Sequence, residues 1–253
     1  MKLQERVAII TGSSMGIGEA IAWDYAREGA RLVLHSRAQE RAERVAGALR
    51  AQGHDAVAIA GDVREPATAA RLVDAAVARW ERLDILVNNA GTSMIGASET
   101  LPAEGWQMTI DTNLSGAFFC AQAAARVMIP RRRGVVLNIS SILGEVGLPK
   151  RAAYCASKHG LIGLTKVLAA EWARHRIRVL SIDPAYIKTP MDVHDQATGD
   201  YTDADIERRT PAGRFGTVED VARAALFAAS DDADYITGSC ITVDGGWVAY
   251  GGW

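Results

Sequence analysis

The stretch Val7-Ala8-Ile9-Ile10-Thr11-Gly12-Ser13-Ser14-Met15-Gly16-Ile17-Gly18-Glu19-Ala20 decides how the chain folds. Its first four residues are apolar without alternation, the pattern of a strand covered on both faces, and the residues from Gly16 onward read as helix. Three glycines at G-x-x-x-G-x-G spacing lie at the junction. Glycine allows a tight turn and close approach of a ligand to the backbone, while the free N–H groups and positive end of the next helix attract a pyrophosphate. A glycine-rich turn can also serve only to reverse the chain, and the spacing differs from the commoner G-x-G-x-x-G. Its place between first strand and first helix favours a dinucleotide, with Gly12, Ser14, Gly16, Ile17 and Gly18 as candidate contacts.

Outward from that turn the same alternation repeats to the end of the chain. Strands are expected at 7–10, 32–34, 56–59, 85–87, 135–139, 179–182 and 241–243, and helical periodicity at 16–29, 38–52, 66–80, 103–130, 154–175 and 217–230. Strand and helix in strict alternation imply right-handed crossovers, hence an α/β fold: a Rossmann-like, doubly wound, seven-stranded parallel sheet with helices on both faces. No composition break divides the chain, so residues 1–253 are read as one dinucleotide-binding and catalytic domain. The stretch 189–217 has no clear periodicity and is rich in Asp, Thr, Gly and Pro, which fits a substrate lid or a plain surface excursion.

Composition narrows the class further. The 253 residues are 49% hydrophobic and carry 28 Lys+Arg against 30 Asp+Glu, a net charge of -2 that argues against affinity for nucleic acid or anionic membrane. The longest uncharged stretches, 85–98 and 112–125, are too short to span a bilayer, which takes about 18 or more apolar residues. The amino terminus lacks the layout of a secretory signal. Cys120, Cys155 and Cys240 are odd in number and far apart, so neither a disulfide framework nor a metal site is expected, and a reducing, cytoplasmic setting is the default.

At the end of the second strand, NAD sites usually place a carboxylate for the ribose 2′-hydroxyl. Here the residues are His35-Ser36-Arg37. Nothing there repels a 2′-phosphate and a guanidinium can pair with one, so NADP is preferred and NAD remains possible. Arg37 as a merely solvated residue is the alternative.

Tyr154 and Lys158 stand four residues apart on a predicted helix and so share a face. A cation beside a phenol stabilises phenolate and is expected to lower the tyrosine pKa toward the range of a working acid or base. Two further segments, Asn88-Asn89-Ala90-Gly91 and Asn138-Ile139-Ser140-Ser141, end the fourth and fifth strands at the sheet edge where open α/β folds bind ligands. Asn113 is a polar residue within an apolar helix, suited to a satisfied core amide or to orienting a water.

In these motifs and in their order the chain resembles the short-chain dehydrogenase/reductase family over nearly its full length: Thr11 to Gly18, Asp62-Val63, Asn88 to Gly91, Asn113, Ser141, Tyr154/Lys158 and Pro184 to Thr189. The resemblance implies an NAD(P)-dependent oxidoreductase acting on CH–OH groups. Tyr154 would exchange a proton with the reacting oxygen, and Lys158 would tune Tyr154 and hold the nicotinamide ribose. Ser141, rather than Ser140, would polarise the substrate, and Asn113 would position a relay water. Gly12, Gly16 and Gly18 would line the pyrophosphate, Asp62 and Val63 the adenine, and Asn88, with Ala90 and Gly91 beside it, the adjoining ribose. Pro184, Ile187 and Thr189 would meet the nicotinamide end, and Ser36 and Arg37 the 2′ position. Members commonly assemble as homotetramers. Two departures stand out: Ala185 where glycine is usual, followed by Tyr186, a candidate substrate wall, and Met15 where NADP-preferring members often carry a basic residue.

The substrate is less legible. Glu145 resembles a carboxylate of sugar, sugar-acid and polyol members that accepts substrate hydroxyls, or is an exposed loop residue. The clusters Arg131-Arg132-Arg133 and Arg174-His175-Arg176 resemble the carrier-facing surface of 3-oxoacyl-[acyl-carrier-protein] reductases, or are solvated helix ends. A nucleotide-binding regulatory module without turnover is a third reading, against which stands the joint presence of Asn113, Ser141, Tyr154 and Lys158. Trp247, Tyr250 and Trp253 make an unusually apolar tail, expected to pack on the lid or on a neighbouring subunit.

Overall fold

The computed structural model of the chain describes residues 1–198 and 201–252. Strands β1 (Val7–Ile10), β2 (Arg31–Ser36), β3 (Ala56–Ala60), β4 (Ile85–Asn88), β5 (Gly134–Ile139), β6 (Ile177–Pro184) and β7 (Cys240–Val243) form one sheet in the order β3-β2-β1-β4-β5-β6-β7. Every neighbouring pair is parallel. β1, β4, β5 and β6 are buried along their whole length, and their sequences are accordingly mainly apolar, interrupted at Asn88 in β4, Asn138 in β5 and Arg178, Ser181 and Asp183 in β6.

Successive residues of each strand serve opposite layers. Ala8 and Ile10 pack with Leu32, Leu34, Ile85 and Val87 against helices α1 (Gly16–Arg27), α2 (Gln39–Ala51) and α9 (Val218–Ala229). Val7 and Ile9 pack with Val33, Leu86, Val136 and Val179 against α3 (Pro66–Trp80), α5 (Gly116–Arg131) and α6 (Ala152–Trp172). The period-two alternation of the backbone thus builds two cores from one sheet.

Two expectations are corrected in detail. The helix expected over 103–130 is interrupted: α4 (Ala103–Ile110) and α5 are joined by one wider turn of π-helix at Asp111–Ser115, which contains Asn113. Residues 189–217 are not a plain loop but hold α7 (Pro190–Thr198) and α8 (Asp203–Arg209). Helices of nine and seven residues are shorter than the window over which helical periodicity is visible. Their punctuation was present nonetheless: Thr202 with Asp205, and Thr217 with Asp220, form capping boxes that start α8 and α9. Among the described residues no helix is long and apolar enough to cross a membrane.

The strand order reverses beside β1, where the chain leaves β3 and returns as β4 on the other side. Neighbouring crossovers diverge there and open a crevice at the carboxyl ends of the strands.

Candidate active site

A cleft of about 420 Å³ occupies that crevice. Its floor is the glycine turn, held by side chains from neighbouring strands. The Thr11 hydroxyl accepts the backbone N–H groups of Asn89 and Ala90, both at 3.0 Å, and the Asn89 amide donates to the carbonyls of Thr11 and Gly12, both at 3.0 Å. Gly12 and Gly16 have φ of +64° and +59°, and a Cβ on Gly12 would lie 2.8 Å from the Ala90 Cα. The turn is therefore a concave backbone cradle that a side chain would fill, opening onto the amino end of α1, and it fits a pyrophosphate. Gly12, Ser14, Gly16 and Ile17 line the cleft, as do Ala90 and Gly91.

Gly18 and Asn88 do something other than expected. A Cβ on Gly18 would sit 2.4 Å from the Asn89 amide nitrogen and 2.5 Å from the Gly12 carbonyl, so this glycine lets α1 pack against the turn and does not line the cleft. The Asn88 amide donates to the Ala117 carbonyl at 3.1 Å and to Asn138 Oδ1 at 2.9 Å, tying β4 to β5 and α5 inside the core. Asn89, its neighbour, is the one that faces the cleft.

Sequence reasoning also missed His35 as a structural part of the turn. The ring is buried, accepting the Gly12 N–H on Nδ1 at 3.2 Å and meeting the Gly61 carbonyl through Nε2 at 3.0 Å. Burial holds its pKa below the ordinary value. Beyond it, Ser36, Arg37, Asp62 and Val63 line the end of the cleft as expected, together with Arg41 and Arg64. Arg64 is committed to Asp62 through a forked contact that holds the carboxyl below its usual range. Arg37 and Arg41 are both exposed; Arg37 was expected from the sequence, whereas Arg41 was missed although its four-residue spacing from Arg37 could have paired them.

On the facing wall, Ser141, Tyr154 and Lys158 converge. Ser141 ends β5 in extended conformation; its hydroxyl accepts the Leu143 N–H at 3.1 Å and bonds to the Tyr154 phenol. Ser140 points inward, its hydroxyl donating to the Lys158 carbonyl at 3.1 Å, so the choice between the serines is a matter of strand alternation. The Lys158 ammonium lies 5.5 Å from the centre of the Tyr154 ring and donates to the Ile139 carbonyl at 2.7 Å.

The expected lowering of the tyrosine pKa is not what this environment produces. Burial pushes the Tyr154 phenol up to about 12, opposed by the Ser141 hydrogen bond, and pushes Lys158 down to about 8, opposed by the Asp183 carboxylate. For Tyr154, loss of water outweighs the Ser141 hydrogen bond and the Arg151 charge that favour phenolate. Asn113 is 1% exposed, its amide donating to the Thr92 carbonyl at 2.9 Å and to Ser157 at 3.0 Å while Oδ1 accepts the Thr92 N–H at 2.8 Å. Its side chain is a satisfied core amide that fixes the loop after β4 against α6.

The remaining wall comes from the end of β6 and the α7–α8 segment. Pro184, Ala185, Tyr186, Ile187 and Thr189 line it, with Asp192, Asp195 and Tyr201 from the segment beyond. Tyr186 packs edge-on against Tyr201, with ring centres 5.4 Å apart, and on Trp247 at 4.8 Å. Arg209 of α8 lies over Trp247 and Tyr250. Trp247 and Tyr250 of the tail thus pack against α8 within the 189–217 segment, while Trp253 lies outside the described residues.

Glu145 does not line the cleft. It accepts the Thr242 hydroxyl at 3.4 Å, and its carboxylate, that of Asp183 and the Cys240 thiol lie within 4.8 Å of one another. The short helical turn after Ser141 carries the chain away from the cleft and over β6 and β7. The basic clusters precede β5 and β6, at the opposite sheet edge within this chain, where Arg132 donates to the Arg174 carbonyl at 2.9 Å and Arg131 to the Glu81 carbonyl at 3.2 Å.

A dinucleotide cradle at the switch point of a parallel sheet, faced by a phenol, an ammonium and a hydroxyl, defines a nicotinamide-dependent oxidoreductase. Comparison with known proteins narrows this: the family model described as enoyl-(acyl carrier protein) reductase matches residues 12–248, and the chain belongs to the short-chain dehydrogenase/reductase family. It is 38% identical over 246 residues to D-threitol dehydrogenase of Mycolicibacterium smegmatis, covering 97% of this chain and 94% of that enzyme. It is also 38% identical over 240 residues to the 3-oxoacyl-[acyl-carrier-protein] reductase FabG of Staphylococcus aureus, covering 94% and 96%. The solved structure of a gluconate 5-dehydrogenase from Burkholderia cenocepacia J2315, in complex with NADP and tartrate, superposes with a TM-score of 0.93 at 37% identity, covering 98% of this chain and 97% of that one.

Proposed function

We propose that the protein interconverts a secondary alcohol and its ketone with NADP(H), accepting NAD(H) less well, on a small hydroxylated substrate. The observation that carries this is the convergence of Ser141, Tyr154 and Lys158 on one wall of the cleft opposite the glycine turn. When bound, the nicotinamide ring takes or gives the hydride. The chain does the rest. The Ser141 hydroxyl holds the reacting oxygen beside the Tyr154 phenol, which gives a proton to a ketone oxygen or takes one from an alcohol. A neutral phenol with a raised pKa is ready to donate in the reductive direction. For oxidation, the positive charges of Lys158 and of the oxidised nicotinamide would favour phenolate.

Asp62 and Val63 would hold the adenosine end of the cofactor, and Arg37 with Arg41 would supply charge for a 2′-phosphate. The FabG relative keeps acyl-carrier substrates as the second reading. The polar groups of the lid wall, Asp192, Asp195 and Arg151, favour the hydroxylated substrate instead. Assembly as a homotetramer in the cytoplasm is part of the proposal. It is supported by the exposure of Trp106, Phe118 and Phe227 on α4, α5 and α9, and is tested by sedimentation.

The decisive experiment is Tyr154→Phe assayed at 340 nm. Turnover should fall on the order of 10²-fold or more while NADPH binding and melting temperature persist. Full activity in that variant removes the assigned role.

A further inference from the structure

Arg151 caps the amino end of α6, three residues before Tyr154, and its side chain is 7% exposed while lining the cleft. A guanidinium carries five N–H donors and is costly to bury without acceptors. Its one ionic partner among the described residues is Asp195 of α7, with Nη2 and Oδ2 3.8 Å apart, outside hydrogen-bond reach. Both groups act electrostatically on the Tyr154, Tyr186 and Tyr201 phenols, which places them beside the proton-transfer position. The pair bridges the catalytic helix and the lid with donors on one side, acceptors on the other, and a gap between.

We propose that Arg151 and Asp195 form a subsite that reads a substrate hydroxyl other than the reacting one, selecting neutral vicinal polyols and their hydroxyketones. This rests on the reading of Tyr154 as the proton-transfer residue.

A hydroxyl is the group that suits such a gap, because it accepts from the guanidinium and donates to the carboxylate at once. A substrate carboxylate would satisfy Arg151 but would face Asp195 and, on the same wall, the buried Asp192. Lys188 lies 3.4 Å from Asp192 but is shared with Asp203, so this wall has no excess positive charge to offer an anionic substrate. An acyl chain would dehydrate the Arg151 guanidinium without offering it an acceptor.

The test compares kcat/KM for a four-carbon tetritol, for 2-butanol and for gluconate in the wild type, Asp195→Asn, Arg151→Gln and Arg151→Lys, with NADPH affinity and melting temperature as controls. The wild type should prefer the tetritol. Asp195→Asn and Arg151→Gln should each lose on the order of 10- to 100-fold toward it, at least ten times more than toward 2-butanol, mainly through KM. Arg151→Lys should recover part of the loss. Should Arg151→Gln fail to fold, Asp195→Asn carries the test alone. Equal losses on tetritol and 2-butanol, or unchanged tetritol kinetics, overturn the subsite. So does a wild type that prefers gluconate and loses that preference in Arg151→Gln, which would make the site a carboxylate clamp. Failure of the underlying reading looks different: Tyr154→Phe would retain full activity on every substrate.

Discussion

Replacing His35 with leucine removes one contact that holds the phosphate turn. The ring accepts the Gly12 N–H at 3.2 Å and meets the Gly61 carbonyl at 3.0 Å, so only the neutral ring protonated on Nε2 serves both. Leucine occupies comparable space and offers neither group. Two backbone groups lose their partner at about 1–3 kcal/mol each, and since water reaches Gly12 from the cleft, the low end of the sum applies, about 2–3 kcal/mol. About 1 kcal/mol moves the melting temperature of a chain this long by roughly 2–4 °C, so a fall of roughly 5–10 °C is expected. NADPH affinity should weaken as well, because the freed turn must be ordered on binding.

The same contact sets a pH dependence. The folded pKa of His35 lies below its ordinary value of 6.5, so between the two the unfolded chain binds a proton that the folded chain does not. Stability from the neutral ring is complete above 6.5 and declines as pH falls toward the folded value, at up to about 1.4 kcal/mol per pH unit. Thermal unfolding from pH 7.5 to 5 and NADPH fluorescence titration measure both effects, and the leucine variant should lack this component of the slope. A variant that melts within about 2 °C of wild type at pH 7.5, binds NADPH equally well and keeps the wild-type slope would refute the reasoning.

Other outcomes follow from the same geometry. Arg37→Ala should weaken NADPH about 10-fold or more and leave NADH nearly unchanged, with the difference shrinking in high salt; equal losses for both would remove the 2′-phosphate argument. Gly12→Ala meets both a φ of +64° and a Cβ 2.8 Å from the Ala90 Cα, so dinucleotide binding should be lost, and a variant with wild-type NADPH affinity in calorimetry would contradict the cradle. Asp183 is pushed up to about 6 by burial, with the Glu145 carboxylate adding to the rise. A folded pKa above the unfolded one means that stability falls as pH rises from about 4 to about 6, so Asp183→Asn should flatten that part of the urea-unfolding profile.

Much of this molecule can be read from residue order alone. The mainly apolar, non-alternating runs of β1, β4, β5 and β6 imply strands buried on both faces, and their alternation with helices implies a parallel sheet, because local periodicity reports which faces are covered. Gly12, Gly16, Tyr154 and Lys158 were legible because a tight turn and a helical four-residue spacing are short-range geometry, while the strand end pointed to Ser140 and Ser141 alike and the family resemblance chose Ser141. What the linear chain could not express was decided by distant segments meeting. His35 reaches Gly12 across 23 positions and Asn89 reaches Thr11 across 78. Asn88 is turned into the core by Asn138, Glu145 is drawn to Asp183 and Cys240, and Arg151 meets α7 at Asp195. The direction of the Tyr154 and Lys158 shifts belongs with these, since the sequence names the charges but only the packed fold determines how much water is taken away from them.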